Sequence, residues 1–357
     1  MKIHLKFKQT REALPTDIVF QTAFWSAVKS ELGWTSLAFD FIPPGPQGDV
    51  IVLTKTASPG ISMAYVPQGP EFCPKPDQYG IFLEALSEAI KHYLDPGTAF
   101  IRYDLPWESP YAATVNHGSI QPRAFERPEP RIQELRMNFG TKAWNLRKAV
   151  NNHTFADKVI VDLRRNEEQI MAAMKPKTRY NIRLAQKKGI RVFQASSDLL
   201  PVFYGLYQQT AERNHLPLCA YSHFSALFSA LSSKVDSCEI IFLLAGHGDD
   251  LLAGALIVIS RQTATYMFGA SSNRKRNFMA SYAIHWQAVQ MAQARGCLSY
   301  DLGAVSPVND HNHPFYGLYR FKTGFGGKIV HQTGSWDYPL DEKSYHTFRH
   351  CEIFDHI

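Results

Sequence analysis

Strand and helix patterns alternate along this chain, break off, and start again in the same order. That double alternation predicts an α/β fold built from two related units. Residues 19–33 carry apolar side chains at helical spacing and end in Gly33, a helix with its C-cap. Val50–Leu53 and Ile61–Val66 read as strands separated by an Ala-Ser-Pro-Gly turn. Tyr79–Leu94 reads as a helix stopped by Asp95-Pro96-Gly97, and Ala99–Tyr103 as a strand. Residues 104–130 are Pro-rich and read as irregular. The alternation restarts after about residue 155. Val159–Leu163 is predicted as a strand, Asn166–Gly189 as helical and Ile190–Phe193 as a strand. Leu199–Asn214 and His223–Lys234 follow as helices, then Ile240–Ala245, Leu252–Ser260 and Thr263–Gly269 as strands. Met279–Arg295 reads as a long helix and Tyr300–Asp301 as a strand end. The tail after 329 is free to return to the first unit.

The 357 residues suffice for two to three domains at roughly 150 residues each. The longest apolar stretch, Leu251–Ile259, has nine residues, whereas a membrane helix needs about 20. The N-terminus has no apolar core of a signal peptide. Five cysteines lack CxxC spacing, so they read as reduced, mostly buried thiols of a cytosolic protein.

The net charge is only +6, so its distribution matters more than its sum. Residues 175–191 hold seven Lys/Arg, and 169–197 hold no acid. Lys175, Arg179, Arg183 and Lys187 recur every four residues and are predicted to share one helix side. Like charges so spaced repel by about 0.2–0.5 kcal/mol per pair. An anionic partner such as a phosphate or an RNA backbone would offset that repulsion; a solvated helix face is the alternative. Arg274-Lys275-Arg276 precedes the long helix. Arg320, Lys322 and Lys328 flank the turn Gly324-Phe325-Gly326-Gly327. Tyr319, Phe321 and Phe325 interleave this last cluster, which otherwise reads as an aromatic strand in a core.

Other motifs are missing. The chain has no GxSxG elbow, HExxH pair or GxGxxG fingerprint, and Gly327-Lys328 lacks the spacing of a P-loop. His311 and His313 have no partner at metal-ligand spacing, so no metal site is expected. Lys29 stands beside an apolar helix stripe and is expected to reach outward. Asp104 ends a strand, where carboxylates often line clefts or cap loops.

Together, FWSAVKSELGW (24–34), YVPQGP (65–70), FIRYD (100–104), KTRYNIRLAQKKGI (177–190), TYMFGASS (265–272), SYDLGAVSP (299–307) and LYRFKTGFGGK (318–328) resemble the FemABX family of peptidoglycan-bridge aminoacyltransferases. The resemblance covers most of the chain and is most specific in the basic helix followed by the FKxGFGG turn. It implies two tandem GNAT-like domains: 1–155 plus 330–357, and 156–329. The donor would be an aminoacyl-tRNA, and the acceptor a UDP-MurNAc-pentapeptide or lipid II. Peripheral contact with the inner membrane face and a cytoplasmic location would go with these. By matching positions, Lys322, Phe321 and Asp104 would be catalytic. Lys29, Tyr221, Tyr266 and Tyr319 would bind the precursor, with Lys29 on its phosphates. Arg179, Arg183, Lys187, Arg274 and Arg276 would meet tRNA or phosphate.

The chemistry implied needs no cofactor, because an amine attacking an activated ester runs downhill. It needs positioning, a proton acceptor and a cation for the oxyanion. Lys322 can supply that charge; Asp104 or a substrate carboxylate can take the proton. The sequence departs from the family in lacking a coiled-coil arm near 222–238 and in carrying Pro217 where many members have Arg. Acyl-CoA or acyl carrier protein is the alternative donor, for a GNAT-like N-acyltransferase acting on a cell-envelope sugar or peptide. RKRNFMA (274–280) has none of the glycines of a CoA-binding turn. A non-catalytic RNA- or precursor-binding protein is the third reading.

Overall fold

The computed structural model describes residues 1–43, 46–57, 60–112, 125–232, 238–313 and 316–354. The predicted turn at 58–59, the middle of the Pro-rich segment and the last residues of the predicted helix His223–Lys234 lie outside them. The chain divides into unit 1 (residues 1–14, 20–156 and 331–357) and unit 2 (15–19 and 157–330). Pro15–Val19, which the sequence division assigned to the first domain, belongs to unit 2. There Ser260 Oγ donates to Thr16 O (2.6 Å) and Gln262 N to Asp17 Oδ1 (2.8 Å).

Unit 1 runs β1 (Leu5–Lys8), α1 (Ala23–Glu31), β2 (Thr35–Phe41), β3 (Asp49–Ala57), β4 (Ile61–Val66), α2 (Tyr79–Lys91), β5 (Thr98–Glu108), α3 (Pro130–Asn138) and β6 (Arg147–Lys148). Unit 2 continues with β7 (Asp157–Asp162), α4 (Glu167–Ala173), α5 (Pro176–Lys187), β8 (Arg191–Gln194), α6 (Leu200–Asn214), α7 (Tyr221–Ser232), β9 (Glu239–His247), β10 (Asp250–Ser260), β11 (Thr263–Ser271), α8 (Ala280–Ala294), β12 (Ser299–Ala304) and α9 (Tyr316–Thr323). β13 (Lys328–Pro339) and α10 (Glu342–Phe354) close the chain.

The two sheets share one topology. In unit 1, β1, β2, β3 and β4 pair antiparallel in turn, β5 joins β4 in parallel, and β13 closes antiparallel on β5. In unit 2, β8, β9, β10 and β11 pair antiparallel, β12 joins β11 in parallel, and β7 closes antiparallel on β12. Each parallel step is made by one helix, α2 or α8, because parallel neighbours need a long crossover.

Helices cover both faces of the unit 1 sheet. Tyr79, Phe82, Leu83, Leu86 and Ile90 of α2 recur at helical spacing and bury against Val52, Ala64, Ile101 and Tyr103. On the other face Tyr345 and Phe348 of α10 pack on Phe100 at 5.4 and 4.7 Å. In unit 2 the apolar runs of β9 and β10 are buried along nearly their whole length.

Three predictions are corrected. Asn166–Gly189 is two helices, because Pro176 has no N–H to continue the first. Lys175 therefore precedes α5 as its N-cap, and of the four evenly spaced cations Arg179, Arg183 and Lys187 ride on the helix. The segment 316–323 is a helix and not an aromatic strand. The helix predicted from residue 19 begins at Ala23, where Thr22 Oγ1 accepts from Trp25 N at 3.1 Å.

Candidate functional site

The two parallel pairs differ in length, and the difference creates the site. In unit 1, β4 and β5 stay paired from Ser62↔Thr98 to Val66↔Tyr103, and Gly69 N still reaches Asp104 O at 3.0 Å. In unit 2, β11 and β12 pair only over Thr263–Thr265 and Ser299–Asp301. Both strands then run on, β11 with β10 to Ser271 and β12 to Ala304. A bulge in β11 opposite Leu256/Ile257 helps turn it away. The unit 2 sheet parts at Tyr266.

Lys322 enters next to this parting. Its side chain is buried on α9, with 6% of the residue exposed. Nζ donates to Ala304 O at 2.6 Å and lies 5.8 Å from the centroid of the Tyr266 ring. Burial pushes its pKa down to about 8, opposed by the charge of Asp301. Gly303 sets the backbone turn beside this ammonium. Its φ of +70° is left-handed, and a Cβ there would lie 3.8 Å from Lys322 Nζ. Asp301 Oδ1 accepts from Gly303 N at 2.7 Å and fixes the turn.

Aromatic rings wall the ammonium's surroundings. Phe321 packs edge-on against Tyr282 (4.9 Å), His285 (5.3 Å) and Phe325 (5.3 Å). Tyr266 packs on His285 at 4.7 Å. His285 Nδ1 sits 2.9 Å from Tyr300 OH, and burial plus Lys322 push its pKa down to about 3. His285 is therefore neutral at physiological pH, and the positive charge beside Tyr266 is that of Lys322. Burial also raises the Tyr266 phenol, which stays protonated.

The glycine-rich turn after α9 serves packing. A Cβ on Gly324 would come within 2.3 Å of Thr178 Oγ1, and one on Gly327 within 2.8 Å of Ile160 O. Lys175 N donates to Gly324 O (2.8 Å), and Lys175 Nζ to Thr323 Oγ1 (3.0 Å). The turn thus seats α9, and Lys322 with it, against the start of α5.

A cleft of about 460 Å³ opens at the N-terminus of α8, lined by Ser271, Ser272, Arg276, Ser281, Tyr282 and Phe321 among others. The positive end of the α8 dipole and Arg276 make that end favourable for an anion. Arg274 and Lys275 also line it, but both pair with Asp250, at 2.9 and 2.7 Å. Of the cations on α5, Lys177, Arg183 and Lys187 are exposed. Arg179 caps α4 instead, donating from Nη1 to Ala172 O (3.2 Å) and to Met174 O. Glu167, Glu168, Arg179 and Arg183 line one shallow surface depression.

Phe321, Lys322 and Tyr266 are thus brought together. Tyr319 lies one turn before Lys322, with Lys175 Nζ 5.9 Å from its ring. Tyr221 begins α7 and packs edge-on against Tyr204 at 5.3 Å. Asp104 and Lys29 belong to unit 1. Asp104 is buried and accepts from Tyr65 OH (2.5 Å), Thr154 N (2.9 Å) and Ser335 Oγ. Lys29 lies over Trp25 and Trp34, at 5.0 and 5.5 Å. His285, Gly303 and Asp250 escaped sequence reasoning. A lone histidine within an apolar helix pattern reads as core, and a turn aspartate shows no sign of its cationic partners.

The fold and this site define a class: an α/β protein of two topologically alike units whose second sheet parts around a buried lysine. The chain belongs to the FemAB family, whose model matches residues 4–238 and 241–352. A lipid II:glycine glycyltransferase of Staphylococcus saprophyticus is 22% identical over 245 residues, covering 52% of this chain and 59% of that protein. Its counterpart from Staphylococcus haemolyticus is 32% identical over 104 residues, 29% of this chain and 25% of that one. The chain thus matches 59% of the length of the first of these curated relatives and a quarter of the second. The crystal structure of FemX superimposes with a TM-score of 0.72 at 17% identity, covering 95% of this chain and 96% of the other, a likeness of fold. Among the described residues no helix is long and apolar enough to cross a membrane.

Proposed function

We propose that this protein is an aminoacyltransferase that moves an amino acid from aminoacyl-tRNA onto the stem peptide of a peptidoglycan precursor. The observation that carries the proposal is the buried Lys322 ammonium beside the parted strands, in a chain of the FemAB family. The names of the matched relatives support a lipid II acceptor; a UDP-MurNAc-pentapeptide offers the same stem-peptide amine. The site would work in the cytoplasm, against the inner face of the membrane when the acceptor is lipid-linked.

In the reaction the acceptor amine attacks the ester carbonyl. The new C–N bond forms, the C–O bond to the terminal ribose breaks, and the amine proton ends on the released hydroxyl. Negative charge develops on the carbonyl oxygen, where Lys322 supplies a positive charge without paying for reorganisation in bulk water. Phe321, edge-on in its aromatic cluster, shields the reacting ends. Asp104 is the proposed proton acceptor. Lys29, Tyr221, Tyr266 and Tyr319 are proposed to hold the precursor. Arg183, Lys187 and Arg276 would meet tRNA phosphates directly. Arg179 and Arg274, already engaged, would add field strength. The ester is activated, so no cofactor is required.

The test is a transfer assay with tRNA charged with a pool of labelled amino acids, and either acceptor. An RNase-sensitive mass gain on the stem peptide supports the reading and identifies the amino acid. No gain from folded protein with either acceptor overturns it and favours an acyl-CoA or acyl-carrier donor.

A further inference from the structure

Unit 1 displays an apolar surface that its own core does not use. On α3, Gln133 and Met137 face inward, while Ile132 and Leu135 stand outside at 52% and 53% exposure. Phe139, which caps the helix, is 76% exposed, and Trp144 is 49% exposed. Large apolar side chains clustered this way in one short segment mark a surface that meets something.

The loop that carries the two rings is built. Asn138 Nδ2 donates to Leu146 O (2.8 Å), and Leu146 N to Asn138 Oδ1 (3.0 Å), closing 138–146 at its base. Glu84 receives Lys142 N (2.8 Å) and Ala143 N (2.7 Å). Arg147 Nη1 holds Trp144 O at 2.7 Å. Trp144 itself sits at φ +52°, a left-handed conformation that a bulky residue avoids unless its surroundings impose it. The fold thus spends backbone strain on a tryptophan directed outward.

Charge says what the surface fits. From Pro130 to Arg147 the chain holds four cations (Arg131, Arg136, Lys142, Arg147) and one acid, Glu134, which accepts from Lys148 N at 2.8 Å; the one acid of α2 that meets this loop, Glu84, is taken up by Lys142 N and Ala143 N. Exposed Trp, Phe, Leu and Ile with a basic rim match the boundary of an anionic bilayer, where indole favours the headgroup level and cations meet lipid phosphates.

We infer that α3 and the loop 139–146 form a docking surface for an anionic lipid bilayer. The inference rests on this surface alone; its link to a lipid-linked acceptor rests on the proposed function. The test therefore uses no donor or acceptor. Full-length protein is sedimented with phosphatidylglycerol/phosphatidylcholine vesicles and with pure phosphatidylcholine vesicles. Binding is expected to the former, to weaken with salt, and to fall at least tenfold in F139S/W144S. In R131E/K142E it should fall and lose its salt dependence. These side chains are exposed, so unchanged circular dichroism and melting would show the variants folded. Wild-type protein that ignores anionic vesicles overturns the inference, as does a folded F139S/W144S variant that binds them like wild type. A dimer that F139S/W144S disperses, without vesicle binding by either form, assigns the surface to a second copy and also overturns it.

Discussion

Lys322→Met should make the protein more stable and nearly inactive. Burial lowers the lysine pKa from 10.5 to about 8. At about 1.4 kcal/mol per unit, the fold carries roughly 3 kcal/mol against the charged form at neutral pH. Methionine matches the length and apolar character of the stem and carries no charge. It also leaves Ala304 O without its donor, which costs about 1–2 kcal/mol. The balance is a gain of roughly 1–2 kcal/mol, or a melting point about 2–6 °C higher. Removing the proposed oxyanion partner should meanwhile lower turnover by about 10²–10³. Melting curves and single-turnover transfer on the same preparation read both. The sign with pH follows from the shift. The folded pKa lies below the unfolded one, so between about 8 and 10.5 the unfolded chain binds more protons. Wild-type stability should therefore rise through that window, while transfer falls as pH passes about 8; the Met variant should lack the rise. A lower melting point with wild-type turnover would refute the reasoning and make Lys322 a structural residue.

Charge reversal should separate the basic residues by their existing partners. Arg276→Glu should weaken tRNA binding and flatten its salt dependence more than Arg274→Glu, because Asp250 already holds Arg274; equal slopes in salt titrations would contradict this. Gly303→Ala should cost about 1–2 kcal/mol from its positive φ, seen as a lower denaturant midpoint. An unaltered midpoint would speak against the turn geometry. Asp104→Asn faces the donors of Tyr65, Ser335 and Thr154 with an amide, and should lose about 1–3 kcal/mol. If Asp104 also takes the proton, transfer by the folded variant falls at least tenfold; unchanged transfer leaves it a structural anchor.

Much of the architecture was legible along the chain. The apolar runs at 240–245 and 252–260 form the long buried strands β9 and β10. The apolar helix pattern before residue 295 forms α8. Local period was ambiguous where it met turn chemistry or a short polar strand. β1 and β2 escaped because Leu5–Lys8 and Thr35–Phe41 are short or interrupted by polar residues. α3 escaped because its outer face is as apolar as its inner one, which blurs the helical period. Residues 316–323 looked like a strand because their aromatic and basic residues nearly alternate, yet α9 packs only part of that set inward.

Residue types and periodicity, set by interactions within a few residues, determined the α/β class, the basic segment 175–191 and the motifs that resemble the FemABX family. The tertiary structure decided what those residues can do. The early parting of β11 and β12, the 2.6 Å hold of Ala304 O on Lys322, the neutral His285 and the pairing of Arg274 with Asp250 all join positions far apart in sequence. A lysine's charge state depends on how much water its neighbours remove, and those neighbours are assembled only when the chain folds.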